Sequence, residues 1–140
     1  MGYLYPMKNA LIIFFAACIL PACNRTNKQI QERIVNSDSV AINYFKGDGT
    51  MDTVVAIKIV RDKQKVEQLV RHIAAQSAEG NDKCGYDGSL HFFKISKVIQ
   101  DIDFRMNEEG CMYFSFMQDG KIKYTALSPA AKDLINFLRK

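Results

Sequence analysis

The chain has 140 residues, of which 48% are hydrophobic and 24% are charged, and its formal net charge is +4 at pH 7. This length suits one domain of ordinary size, and the small, dispersed basic excess lacks the concentrated basic face typical of nucleic-acid binding. We therefore expect a single folded domain with no nucleic-acid partner.

The N-terminal region carries the most specific pattern of the chain. An apolar stretch of 11 residues, residues 10–20, follows Lys8 and is closed by Pro21-Ala22-Cys23. A stretch of this length is too short to cross a bilayer, which takes about 20 residues. A basic start, a short apolar middle and small residues at the cleavage point are the marks of a secretory signal peptide.

Leu20, Ala22 and Cys23 stand at the positions that define a lipobox, and the region resembles the signal of small bacterial lipoproteins. The resemblance implies that residues 1–22 are removed and that the Cys23 sulfur receives a diacylglyceryl group, with a further acyl chain such as palmitate on its amine. Stable anchoring takes about two such chains. The resemblance also implies a membrane-anchored protein of the bacterial cell envelope that faces the periplasm or the exterior.

Three alternatives remain open in this region. Either Met1 or Met7 is the initiator, and Lys8 directly after Met7 favours the second. A second lipobox-like run ends at Cys18, although Phe15 replaces the usual leucine there. Cleavage of an ordinary signal peptide after Ala22 would leave Cys23 unmodified.

The segment after the anchor, residues 23–38, predicts a polar tether followed by a short helix over residues 29–36. Two runs rich in β-branched and aromatic residues follow, separated by the glycine-containing turn of residues 46–50, which predicts a hairpin. Asp62 is then the expected cap of an amphipathic helix. The two strands of the hairpin are expected at residues 40–45 and 53–60.

The second half predicts a β-meander and a final helix that opens at Ser128-Pro129. In the second meander strand, alternation places Val98 and Ile102 on one face and Ile99 and Asp101 on the other. The four strands are expected at residues 89–95, 98–106, 111–117 and 121–126.

The predicted order is ββαββββα, and we expect an α+β fold over residues 39–140. An antiparallel sheet of about six strands with two helices packed on one face accounts for every amphipathic element. The later part of this order resembles that of TBP-like folds, in element order only, and fold does not imply function.

Cys84 and Cys111 are the two cysteines of the folded region. In an exported protein an even pair predicts a disulfide, which on the chain-entropy model would stabilise the fold by about 3.5 kcal/mol. Two unpaired buried thiols are the alternative.

The candidate binding residues lie in the loop after Cys84 and on the strand face that the helices do not cover. His72 and His91 lack the paired spacing of a zinc site, and no nucleophile or phosphate-binding motif occurs. We therefore predict no metal, no cofactor and no enzymatic activity. The candidates are Tyr86, His91, Phe93, Asp101, Asp103 and Arg105.

These features predict a membrane-tethered, non-catalytic binding module whose partner is a protein or an envelope component. The alternative is a carrier of small apolar ligands with a pocket between sheet and helices. Whether the short helix of residues 29–36 covers the remaining sheet face stays open.

Replacing Cys23 with serine tests the predicted anchor. Because serine does not accept the thioether-linked lipid, we expect Cys23→Ser to move the protein from washed membranes into the soluble fraction. Cys18→Ser is the matched control and should stay in the membranes. Equal membrane association of both variants, measured by fractionation and immunoblotting, would contradict the lipidation of Cys23.

Overall fold

The computed structural model describes residues 27–140 and the isolated residue Gly2. The predicted signal peptide (residues 1–22), the lipobox with Cys23 and the start of the tether lie outside the described residues. The first helix, α1 (Lys28–Ile34), begins where Asn27 accepts a hydrogen bond from the Ile30 N–H at 3.2 Å. A helix therefore lies in the region where the sequence predicts a short one.

The strands form one antiparallel sheet, as the sequence predicts. Hydrogen-bonded neighbours follow the order β2-β1-β3-β4-β5-β6 among six strands in the described chain. Two antiparallel hairpins, β3–β4 and β5–β6, thus lie beside the β1–β2 pair, and β2 and β6 are the edge strands. The strands are β1 (Ser39–Phe45), β2 (Val54–Val60), β3 (Gly88–Lys94), β4 (Lys97–Arg105), β5 (Tyr113–Gln118) and β6 (Lys121–Ala126).

The two longer helices begin at the predicted caps. The Asp62 carboxylate accepts the Gln64 N–H at 2.9 Å and opens α2 (Lys63–Ile73). The Ser128 hydroxyl accepts the Ala131 N–H at 3.1 Å and opens α3 (Pro129–Arg139). Side-chain caps satisfy N–H groups that the first turn of a helix leaves without partners.

All three helices of the described chain pack on the same face of the sheet and share one apolar core. Alternate residues of the central strands point into it, so that Ile42, Leu90 and Phe104 are each 0% exposed. The helices contribute Ile30 and Ile34 from α1, Leu69 and Ile73 from α2, and Ile135 from α3. Helix α1 therefore joins the predicted helix layer, and it does not cover the opposite face of the sheet.

Two buried hydroxyl groups fasten the helices to the sheet. The Tyr44 hydroxyl donates to the Ile135 carbonyl of α3 at 2.7 Å, and burial raises the pKa of Tyr44 to about 12. The Thr125 hydroxyl donates to the Ile73 carbonyl at the end of α2, also at 2.7 Å. Each bond pairs a polar group that would otherwise be costly to bury.

A register shift corrects the predicted faces of β4. The β3–β4 ladder is irregular between Phe92 and Phe93, which are paired with Gln100 and Val98. The extra residue, Ile99, turns towards the core and packs against it, whereas Val98 is 50% exposed. Strict alternation predicts the reverse, and a bulge breaks that alternation locally.

One end of the sheet, which we call the disulfide end, is cross-linked by the predicted bond between Cys84 and Cys111, whose Cα atoms are 6.0 Å apart. The adjoining loop folds back on the strands because the buried Asp87 carboxylate accepts from Arg105 Nη1 and the Met106 N–H, both at 2.7 Å. Gly85 (φ +67°) lies so close to Gly49 that a Cβ atom would be 1.9 Å from the Gly49 carbonyl oxygen. Glycine is thus required there.

Removing the disulfide tests its contribution to the fold. The bond joins residues 27 positions apart, so on the chain-entropy model we expect the double variant Cys84→Ser/Cys111→Ser to lose about 3.5 kcal/mol of unfolding free energy. Urea unfolding followed by circular dichroism measures this loss. Wild-type protein in reductant should match the variant, and a loss below about 1 kcal/mol would contradict a stabilising cross-link.

Candidate functional site

The sheet face opposite the helices carries a polar cluster at its centre and apolar side chains around it; we call it the open face. The register places His91 of β3 between Ala41 of β1 and Asp101 of β4. The next row towards the disulfide end pairs Ser89 with both Asn43 and Asp103. Four polar side chains therefore neighbour the His91 ring: Ser89 on the same strand, Asn43 on β1, and Asp101 and Asp103 on β4.

The His91 ring is held by hydrogen bonds at both nitrogens. Its Nδ1 lies 2.6 Å from the Asp101 Oδ1, and its Nε2 lies 3.1 Å from both the Asn43 Nδ2 and the Ser89 Oγ. A carboxylate accepts only, so Nδ1 carries the proton of the neutral ring and Nε2 is the acceptor. The cluster thereby fixes the tautomer and orientation of a histidine whose side chain is 29% exposed.

Ser89, His91 and Asp101 have the connectivity of a catalytic triad, in which a base lies between a hydroxyl and a carboxylate. A nucleophile must also be reachable by a carbonyl carbon. Ser89 is only 5% exposed, and its Oγ also lies 3.4 Å from the Asn43 Nδ2. This geometry suits a fixed hydrogen-bonding surface better than an accessible nucleophile.

Asp103 is a partly buried carboxylate beside this cluster. Burial raises the pKa of Asp103 above its usual value, the charge of Asp101 adds to the rise, and His91 opposes it. A carboxylate kept in a desolvating position lowers the stability of the fold, and such groups are common at functional sites. The Asp103 carboxylate is therefore placed to accept a hydrogen bond from a partner or to form an ion pair with a positively charged group of the partner.

The apolar border of the open face comes mainly from the edge strand β2. Ile57 is 62% exposed and Ile59 is 50% exposed, and their cross-strand neighbours are Asn43 and Ala41. Beyond the bulge in this ladder, Val54 pairs with Phe45 and is 46% exposed. A row of exposed β-branched residues on an edge strand is a common feature of surfaces that pair with another molecule.

A surface cavity of about 470 Å³ lies between α1, the start of β4 and the turn between β5 and β6. In the described part of the chain, β4 and β5 are paired at three positions, from Asp103–Ser115 to Arg105–Tyr113. The unpaired parts of the two strands, at the start of β4 and the end of β5, line the cavity. The Arg33 Nε donates to the Gln100 Oε1 at 2.8 Å on its wall. The cavity is open and its lining mixes polar with apolar side chains, unlike the enclosed apolar pocket that the carrier alternative predicts.

The other predicted residues lie outside the His91 cluster. The Tyr86 hydroxyl is 3.4 Å from the Ser115 Oγ at the border of the open face. Arg105 is 8% exposed, because its guanidinium binds Asp87 and Glu108, so it fastens the disulfide-end loop and is not presented to a partner. His72 lies on α2, in the layer on the other side of the sheet, and burial lowers its pKa.

Phe93, the remaining predicted residue, is partly buried on the open face and pairs with Ser39 and Val98. Asn43 and Ser89 are the cluster members that sequence reasoning misses. Asn43 approaches His91 through the register of β1 against β3, which no local motif records. Ser89 lies two residues before His91 on β3, so the alternation of a strand is the signal that could have placed it on the same face.

No family model, curated protein or solved structure matches this chain. Within residues 27–140, no helix combines the length and apolar character needed to cross a membrane. Cys84, Cys111 and Glu108 offer ligand atoms within 4.8 Å of one another, but the two sulfurs are bonded to each other. A sulfur in a disulfide does not supply the thiolate that a metal ion binds.

Replacing Asp103 with asparagine tests the cost of its burial. The folded-state pKa is raised, so the charged carboxylate destabilises the fold at neutral pH and the cost disappears as the pH falls towards the unfolded value of 3.8. We expect Asp103→Asn to unfold at a higher urea concentration at pH 7, by up to about 1 kcal/mol because solvent screens the group, with less effect at pH 4.

Asp133→Asn on α3 is the matched control, because this exposed carboxylate lies on the other side of the sheet from Asp103 and its replacement should change the stability little. An Asp103→Asn variant that is less stable than wild type at pH 7 would contradict a destabilising carboxylate.

Proposed function

We propose that this chain is a membrane-tethered, non-catalytic binding module of the bacterial cell envelope. A lipid at Cys23 holds it to the membrane, and the open face binds a protein partner or an envelope component. The observation that carries the binding role is the fixed His91 cluster beside the exposed apolar row of β2.

The disulfide supports an exported location independently of the lipobox. Disulfides persist in oxidising compartments such as the periplasm and are rare in the cytosol. The bond between Cys84 and Cys111 closes the loop that carries Tyr86 and Asp87. The lipobox and the disulfide thus favour the same side of the membrane.

The composition of the open face supports recognition of a partner. Protein interfaces combine apolar side chains with hydrogen-bonding groups held in fixed positions. Ile57 and Ile59 offer apolar area, the Asp103 carboxylate offers a hydrogen-bond acceptor, and the His91 ring, whose two nitrogens are already bonded within the cluster, offers its face. The ring is already oriented by three neighbours, so little side-chain entropy is lost when it binds.

The carrier alternative receives less support. An apolar carrier needs an enclosed apolar cavity, and ligand pockets of this kind are lined mainly by hydrophobic residues. The space between sheet and helices is instead filled by fully buried side chains such as Phe92, Phe104 and Phe114, each 0% exposed. The cavity beside α1 is open and lined by groups such as Arg33 and Asp119.

Site-specific photo-crosslinking in native membranes tests the binding face. A photoreactive amino acid at Ile57, which is 62% exposed on the open face, should give a discrete crosslinked product. The matched control is Phe137 of α3, which is 58% exposed on the helix side. We expect the Ile57 product to diminish at least several-fold when Asp103 is also replaced by alanine.

Products of equal yield from Ile57 and Phe137 would contradict a partner on the open face. So would an Ile57 product that the Asp103→Ala change leaves intact. The products are measured by immunoblotting and identified by mass spectrometry.

A further inference from the structure

The end of the sheet opposite the disulfide carries two tight turns; we call it the hairpin end. Ile95 and Ser96 join β3 to β4, and Asp119 and Gly120 join β5 to β6. Ile95 is 79% exposed and has φ 51°, in the left-handed region. A β-branched residue rarely adopts this conformation. The turn therefore exposes a large apolar side chain at a position whose backbone conformation is unfavourable for isoleucine.

Lysines and exposed apolar residues surround these turns. Val98 is 50%, Met117 55% and Ile122 51% exposed. Two carboxylates lie nearby and keep their charge, since each accepts from a neutral donor: Asp38 from the Ile95 N–H and Asp119 from the Gln29 Nε2, both at 2.9 Å. Four exposed lysines outnumber these two carboxylates, so the hairpin end is both basic and apolar. Its exposed lysines are Lys94, Lys97, Lys121 and Lys123.

Helix α1 lies at this end, and the N-terminal chain reaches it past the end of α2, where the Asn27 N–H donates to the Ala75 carbonyl at 3.4 Å. Gln29 of α1 donates to Asp119 at 2.9 Å and accepts from the Gln118 Nε2 at 3.0 Å, which fixes α1 against the β5–β6 turn. Asn27 lies two residues earlier, and four residue steps separate it from Cys23. Four steps of extended chain span at most about 14 Å.

We infer that the hairpin end contacts an anionic lipid surface, with Ile95 and Met117 at the membrane interface and the lysines beside the headgroups. The inference rests on the proposed lipid anchor at Cys23, because the short connection keeps this end of the sheet near the bilayer. A lysine near an anionic leaflet improves binding by roughly five-fold. Basic side chains around apolar ones are the usual composition of surfaces that lie in the membrane interface.

This contact orients the protein. The strands extend away from the membrane, and a strand of seven residues spans about 23 Å. The disulfide end then points away from the lipid, and the open face is reachable from the side. A partner of His91 and Ile57 must approach parallel to the membrane surface.

Single tryptophan reporters test the contact, since the natural chain contains no tryptophan. The processed protein carrying Ile95→Trp, which begins at the lipid-modified Cys23, is reconstituted into vesicles of phosphatidylcholine with phosphatidylglycerol. We expect blue-shifted emission and at least two-fold quenching by brominated acyl chains. Met117→Trp reports from the other hairpin, so the test does not depend on one variant folding. The control is Met51→Trp, 51% exposed in the β1–β2 loop at the disulfide end, which should show neither effect.

Reversing the charge of two lysines at the hairpin end is the second part of the test. In the Ile95→Trp protein, Lys94→Glu with Lys97→Glu should abolish most of the quenching in anionic vesicles. Proteins that float with the vesicles while both hairpin-end reporters stay unquenched would overturn the lipid contact and leave the anchor intact. Proteins that do not float with the vesicles would overturn the anchor itself and, with it, the contact.

Discussion

Helices cover only one face of the sheet, and the rest of the structure depends on this constraint; the other face is buried chiefly at the disulfide end, where Tyr113 packs with Cys84 and Cys111 and is 2% exposed. Side chains such as Leu90 and Ile102 alternate along the strands with polar ones such as Ser89 and Asp101. Packing helices on the sheet therefore removes a large apolar area from water on one face only. All three helices of the described chain supply residues to the core on that face. In the described chain no helix covers the opposite face, and the His91 cluster lies at the centre of that face.

The two ends of the sheet have different roles. At the disulfide end, the Cys84–Cys111 bond and the buried Asp87–Arg105 pair hold the long loops against the strands. At the hairpin end, the turns are short and helix α1 lies beside Asp119. A protein fastened to a membrane at the hairpin end would present its cross-linked loops outward, where a disulfide limits local unfolding.

Local patterns predict the elements well, because caps such as Asp62 and Ser128 and the alternation of strands act within a few residues. The disulfide was predictable from the number of cysteines and the implied compartment. The bulge that exchanges the faces of Val98 and Ile99 was not, because it depends on the fit between β3 and β4. The same holds for the meeting of Asn43 with His91, which only the register of β1 against β3 brings about, whereas Ser89 lies on the same strand as His91 and follows from strand alternation.

Amide hydrogen exchange of the protein in the proposed membrane-tethered state, compared with the purified protein, tests most directly whether the open face is the binding face. We expect added protection in β2 (Val54–Val60) and β3 (Gly88–Lys94), because a partner bound there shields the edge strand and the His91 row. Exchange in α2 and α3 should be unchanged. Protection confined to α2 and α3, or absent from β2 and β3, would contradict a binding role for the open face.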